Sequence, residues 1–147
     1  MKTAIIYYSE HHGNTKKLLD AISKHNNVTL IKASDNPYDL SEFDMIGFAS
    51  GIYYQKFHKT VLQFAEKNLP HGKNIFFIYT YGTKKDTYIN AIKKIADSKG
   101  AQIIGMYSCP GFDTFGPFKL IGGIDKGRPN EEDIDGAIKF FKELSFK

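Results

Sequence analysis

Cysteine is almost missing from this chain of 147 residues, with Cys109 the only one. A single thiol excludes an internal disulfide and a multi-cysteine metal site, and it fits a reduced protein of the cytoplasm. Arginine is equally scarce. The chain has 20 basic residues, of which Arg128 is the sole arginine, against 16 acidic ones. The resulting net charge of +4 would by itself point to a polyanionic partner. Base-edge readout and bidentate phosphate clamps favour arginine over lysine, however, so nucleic acid is not the expected partner. Long apolar runs are missing too. The N-terminal run Ala4 to Tyr8 is too short for the core of a signal peptide, and no later run approaches the ~20 apolar residues of a membrane span. Linkers, low-complexity segments and internal repeats are also lacking, so residues 1–147 are expected to form one soluble, cytoplasmic domain, with no membrane partner.

Apolar surface is plentiful: 41% of residues are hydrophobic, and there are 12 Phe and 9 Tyr. That is enough to offset chain entropy in one core. Apolar runs and helical patterns alternate along the chain, the signature of an α/β domain. Ala4 to Tyr8 reads as a buried strand. Asn14 to Lys24 reads as a helix with Leu18, Ala21, Ile22 and His25 on one face. Val28 to Lys32 and Met45 to Ala49 read as strands, separated by a loop (Ala33 to Asp44) with room for a single helical turn. Lys59 to Asn68 is a helix closed by Pro70, and Asn74 to Thr80 is apolar enough for a central parallel strand. Thr87 to Ser98 is a helix stopped by Gly100, and Gln102 to Ser108 is the fifth strand. Asn130 caps a last helix whose first turn carries Glu131, Glu132 and Asp133. Ile134, Ala137, Ile138, Phe141 and Leu144 form its inner stripe. Right-handed crossovers then give a doubly wound parallel sheet of five strands with helices on both faces. Ligands of such sheets sit beyond the carboxyl ends of the strands.

The loop Ser9-Glu10-His11-His12-Gly13-Asn14-Thr15 follows the first strand and opens a helix. Unpaired N–H groups and a partial positive charge make such a helix start a favourable anion site. Ser9, Asn14 and Thr15 add side-chain donors, and Gly13 permits close approach of the backbone. The Walker pattern and the dinucleotide G-x-G-x-x-G are both lacking, so the loop gives no support to a nucleoside triphosphate or NAD.

The pattern Tyr7-Tyr8-Ser9-x-x-x-Gly13-Asn14-Thr15 resembles the phosphate loop of the flavodoxin family. The resemblance spans essentially the whole chain. It implies strand order 2-1-3-4-5, non-covalent flavin mononucleotide (FMN), and a monomeric carrier that shuttles electrons between redox partner proteins, without a catalytic residue of its own. Ser50-Gly51-Ile52-Tyr53-Tyr54 resembles the family's second flavin loop, which implies that Tyr53 or Tyr54 stacks on the flavin ring, the other packing into the core. Thr80-Tyr81-Gly82 resembles the third, with Tyr81 over the opposite ring face. Residues 109–118 resemble an extension of some short family members and read as a lid or a partner surface. Asp113, within it, either contacts the flavin or caps a turn. Gly122-Gly123, Gly127-Arg128-Pro129 and Asn130-Glu131 recur with that extension.

Three departures from the family pattern carry expectations. His11 stands where a threonine is common, and His12 follows it. Either both are solvated or a ring donates to the phosphate, in which case FMN affinity rises as pH falls through about 6.5. Tyr54 and Gln55 stand where a glycine is common, and each resists φ > 0, so strong stabilisation of the one-electron-reduced flavin is not expected. The lysine excess replaces the family's usual acidity. Lys56, Lys59, Lys84, Lys85 and Lys119 lie in or near the ligand loops, although each is individually a solvated residue by default. Together they point to an acidic docking patch on the partner and a less negative potential. Other classes remain: an FMN-dependent quinone or flavin reductase, a flavodoxin relative that activates ribonucleotide reductase, and a cofactor-free binding module. A receiver domain needs a phosphorylatable Asp after the third strand, where Ser50-Gly51 stands. Cys109 lacks the arginine six residues on that a phosphatase loop requires, and reads as an inert buried thiol.

Overall fold

The computed structural model describes residues 1–9, 13–112 and 126–144. In chain order the elements are β1 (Thr3–Tyr8), α1 (Asn14–His25), β2 (Thr29–Lys32), β3 (Met45–Tyr53), β4 (Lys56–Phe57), α2 (Lys59–Asn68), β5 (Asn74–Tyr81), a 3-10 turn (Asp86–Ile89), α3 (Asn90–Ser98), β6 (Gln102–Pro110) and α4 (Glu131–Leu144). The parallel sheet runs β2-β1-β3-β5-β6, with β4 an antiparallel appendage of β3. Without β4 this is the expected 2-1-3-4-5 order. Helices cover both faces.

Alternation along β1, β3 and β5 sends successive side chains to opposite faces. Ala4, Ile6, Ile46, Phe48, Phe77 and Tyr79 meet α2 and α3 through Val61, Phe64, Ala65, Ile92 and Ala96. Ile5, Tyr7, Met45, Ala49, Phe76 and Ile78 meet α1 and α4 through Leu18, Leu19, Ile22, Ala137, Phe141 and Leu144. Most of these side chains are fully enclosed. Each large one contributes about 1.5–3 kcal/mol of burial, which holds the three central strands and their carboxyl ends in a fixed frame.

The strands and helices fall where the pattern predicts, with local differences. The inner stripe of α1 uses Leu19 instead of His25, which is exposed. Residues 33–44 form turns and no helical turn. The segment after β5 starts as a 3-10 turn and becomes α-helical only at Asn90. The largest difference is β3. Its apolar run ends at Ala49, yet pairing continues through Gly51↔Thr80 and then reverses into β4 through Ile52↔Phe57 and Tyr53↔Lys56. Ser50 to Tyr53 are therefore strand, not loop. The two-residue turn Tyr54-Gln55 has φ of 50° and 65°. Positive φ at both central residues is the type I′ geometry that matches strand twist. The conformation expected to be resisted there is the one adopted, because hairpin pairing imposes it.

Candidate functional site

At the carboxyl edge of the sheet, the ends of β1, β3, β5 and β6 surround a shallow cleft. Ser9, Asn14 and Thr15 line it from the β1 side, Gly51, Ile52 and Tyr53 from β3, and Thr80, Tyr81 and Gly82 from β5. The structure thus gathers three separate predicted loops at one place. Gly111, which the pattern of the sequence did not single out, completes the lining from the end of β6.

One end of the cleft is the start of α1. Gly13 enters the helix at φ 65°, a left-handed conformation that a side chain would oppose. The Lys16 N–H donates to Ser9 Oγ at 3.1 Å, and the first helical bond runs from the Lys17 N–H to the Gly13 carbonyl. No acidic residue stands in the first turn, so nothing of the helix's own neutralises its positive end. Thr15 Oγ1 and Thr80 Oγ1 share a buried hydrogen bond of 2.9 Å, which ties the β1 side to the β5 side. Asn14 is buried, and its Nδ2 donates to the Phe112 carbonyl at 2.8 Å. Its Oδ1 is buried without a hydrogen-bond partner. An orphaned acceptor of this kind costs roughly 1–3 kcal/mol, which ligand sites commonly carry.

The other end is aromatic. Tyr53 stands edge-on to Tyr8 at 5.8 Å and to His58 at 4.9 Å between centroids, while Tyr8 and His58 stack at 3.7 Å. The His58 N–H donates to Ser50 Oγ, and His58 Nδ1 accepts the Thr60 N–H, capping α2. Tyr81 leans on Tyr79 at 6.2 Å. Tyr53 and Tyr81 are both half-buried. Of the two tyrosines offered for stacking, Tyr53 lines the cleft and Tyr54 is 80% exposed at the turn. Ser50 does not line it either: fully buried, its hydroxyl donates to the Gly51 carbonyl and braces the hairpin. Glu10, His11, His12, Asp113 and Lys119 lie outside the described residues, as does most of the 109–118 segment.

Among the described residues the lining holds no carboxylate, imidazole, thiol or amine. No group of three or more His, Cys, Asp or Glu that could hold a metal occurs among them. Cys109 is buried, and desolvation, more than the nearby Asp133, pushes its thiol up to about 12. No helix among the described residues is long and apolar enough to cross a membrane. The cleft can bind an anion at one end and a flat group at the other, but its described lining supplies no carboxylate, imidazole, amine or thiol for acid, base or nucleophilic chemistry.

A crevice at the carboxyl edge of a doubly wound parallel sheet, beside a helix start, is where the ligand-binding α/β proteins of this class hold their ligands. The comparisons make it specific. The profile of the flavodoxin domain matches residues 5–107. Over 147 residues the chain is 37% identical to MJ0298, an uncharacterized protein of Methanocaldococcus jannaschii, covering 98% of both. The protein belongs to the flavodoxin family. Solved structures of the same fold include oxidised flavodoxin 1 of Bacillus cereus (TM-score 0.71, 16% identity, 99% and 98% of the two chains covered). The FMN-bound flavodoxin of Fusobacterium nucleatum also matches (0.66, 17%, 97% and 98%). So does the Trp repressor binding protein of Bacillus subtilis (0.64, 15%, 96% and 97%).

Proposed function

We propose that the cleft binds FMN non-covalently and that the protein carries electrons between redox partners. The observation that carries this reading is the pairing, in one cleft, of a helix start whose first turn holds no acidic residue with two half-buried tyrosines. Ser9, Gly13, Asn14 and Thr15 hold the phosphate end. Tyr53 and Tyr81 flank the ring, and the backbone of Gly51, Ile52 and Gly82 borders its edge. A ligand that offers both an anion and hydroxyl donors suits the donors of the α1 turn and the orphaned Asn14 Oδ1. Bound FMN supplies the one- or two-electron chemistry; the chain positions it and limits water. Flavin bands in the spectrum of the purified protein and about one FMN per chain are expected; a colourless protein that takes up no added FMN would refute the reading.

Lys56, Lys59, Lys84 and Lys85 are all exposed, and β4 packs against the Asp86–Ile89 turn, so the segments that carry them adjoin; we take them as a basic rim beside the cleft. The rim fits a redox partner with an acidic face. The open cleft also fits the second reading, an FMN-dependent quinone or flavin reductase. Sustained NADPH oxidation by the FMN-loaded protein with a quinone, absent with a protein acceptor, would favour that reading.

A further inference from the structure

We propose that Gly111 is a positioning residue for the anion end of the cleft: the missing side chain lets Asn14 dock on the Phe112 carbonyl, and this sets the preference for a phosphorylated flavin. The inference rests on the FMN reading. A Cβ at Gly111 would lie 2.6 Å from Asn14 Nδ2, 2.8 Å from its Cγ and 3.0 Å from its Cβ. Side-chain rotation moves the first two atoms and leaves the third in place, so no rotamer of Asn14 fully clears the contact. Gly111 is not among the glycines of positive φ. The backbone therefore does not itself oppose alanine, and the three nearest atoms that its methyl would meet all belong to Asn14.

Neither side can retreat freely. The Gly111 N–H donates to the Tyr81 carbonyl at 2.9 Å, and the Phe112 N–H donates to the Arg128 carbonyl at 2.8 Å. Arg128 is itself clamped, its Nε and Nη2 donating to the two Asp133 oxygens at 2.6 and 2.8 Å. On the far side, Thr15 is tied to Thr80. An added methyl therefore presses directly on the Asn14 side chain in the first turn of α1, where the phosphate end of the ligand is held under the FMN reading. Tyr53, on the β3–β4 hairpin, takes no part in that contact, whose three nearest atoms all belong to Asn14.

The test is a set of flavin-fluorescence titrations of ligand-free protein with FMN and with riboflavin, which lacks the phosphate. The proteins are wild type, Gly111→Ala, Asn14→Gly and the double variant. Gly111→Ala is expected to weaken FMN about tenfold, the loss of one charge-assisted contact, and to leave riboflavin within about twofold. In the Asn14→Gly background the same substitution is expected to change FMN binding by less than about twofold, because the obstructing atoms are gone. Unchanged FMN affinity in Gly111→Ala, equal loss of both flavins, or the same loss in both backgrounds overturns the proposal. Melting of the four ligand-free proteins reads the contact without cofactor: Gly111→Ala lowers Tm while Asn14 is present and leaves it unchanged in the Asn14→Gly background. Equal lowering in both also overturns it. A wild type that takes up no FMN defeats the cofactor reading instead, and the melting cycle still decides whether Gly111 makes room for Asn14.

Discussion

Gln55 is held at φ 65° although it carries a Cβ. The left-handed region costs a non-glycine residue about 1–2 kcal/mol, and glycine would remove that strain while losing part of the gain to the greater freedom of the unfolded chain. Gln55→Gly is expected to raise stability by about 0.5–1 kcal/mol in urea melts, and a loss of stability would show that the side chain offsets the strain. Asp133 is the opposite case, a residue well supplied with partners. It accepts from Arg128 and from the Asn130 N–H, while its own N–H donates to Asn130 Oδ1, a reciprocal cap at the start of α4. Hydrogen bonding to Arg128, more than any other influence, holds its carboxyl below the usual carboxylate range. A depressed pKa means stability present above the unfolded value of about 4 and lost as pH falls below it. Asp133→Asn should therefore be less stable than wild type at neutral pH, with the gap in urea melts closing below about pH 4. Asn130 was legible as a cap because cap chemistry is local. The Arg128 clasp was not, since Asp133 reads equally well as an ordinary first-turn carboxylate. Gly111 was illegible for a stronger reason: its role depends on Asn14, and Asn14 lies 98 residues from the Phe112 that anchors it.

At the scale of elements, sequence pattern and structure agree where one physical signal dominates. The apolar run of β5 and the helical spacing in α2 place both within a residue. The β3–β4 hairpin was hidden because its turn carries neither Asn nor Gly, the residues that announce type I′ geometry. A helical glycine likewise takes its meaning from what it faces. Gly136 sits within α4, where alanine ordinarily adds up to about 1 kcal/mol. Here a Cβ would meet the Tyr107 hydroxyl at 2.5 Å, and that hydroxyl donates to the Asp133 carbonyl at 2.7 Å. Gly136→Ala is expected to destabilise by about 1–3 kcal/mol through overpacking, and a higher Tm would show that Tyr107 moves aside without penalty. The first helix, by contrast, was readable from Gly13-Asn14-Thr15 because its start and its ligand chemistry are the same few residues. Only its inner stripe was misplaced, by exchanging Leu19 for His25.

For the whole molecule, charge and cleft act together. A basic rim around the proposed flavin predicts that electron transfer to an acidic redox protein slows as ionic strength rises, since the Debye length falls from about 10 Å at 0.1 M to about 3 Å at 1 M. Stopped-flow rates that ignore salt would remove the rim from the docking surface. The doubly wound parallel sheet and the gathering of loops at its carboxyl edge were readable because right-handed crossovers leave few topologies, while the strand order came from the family resemblance. The division of labour between Tyr53 and Tyr54 was not, because no local signal shows that the strand ends at Tyr53 and the turn begins at Tyr54.

The lone cysteine gives this design a last consequence. Cys109 is 3% exposed, and its thiol is pushed up to about 12, so almost no thiolate exists at neutral pH. If the protein is the carrier proposed above, its cofactor works beside a thiol that oxidants do not reach in the folded chain, so no mixed disulfide would divert or gate what the cofactor exchanges. The native protein should stay silent toward a chromogenic disulfide reagent and release one equivalent of colour only on unfolding. Rapid labelling of the folded chain would show instead that the cell's thiol chemistry can reach it.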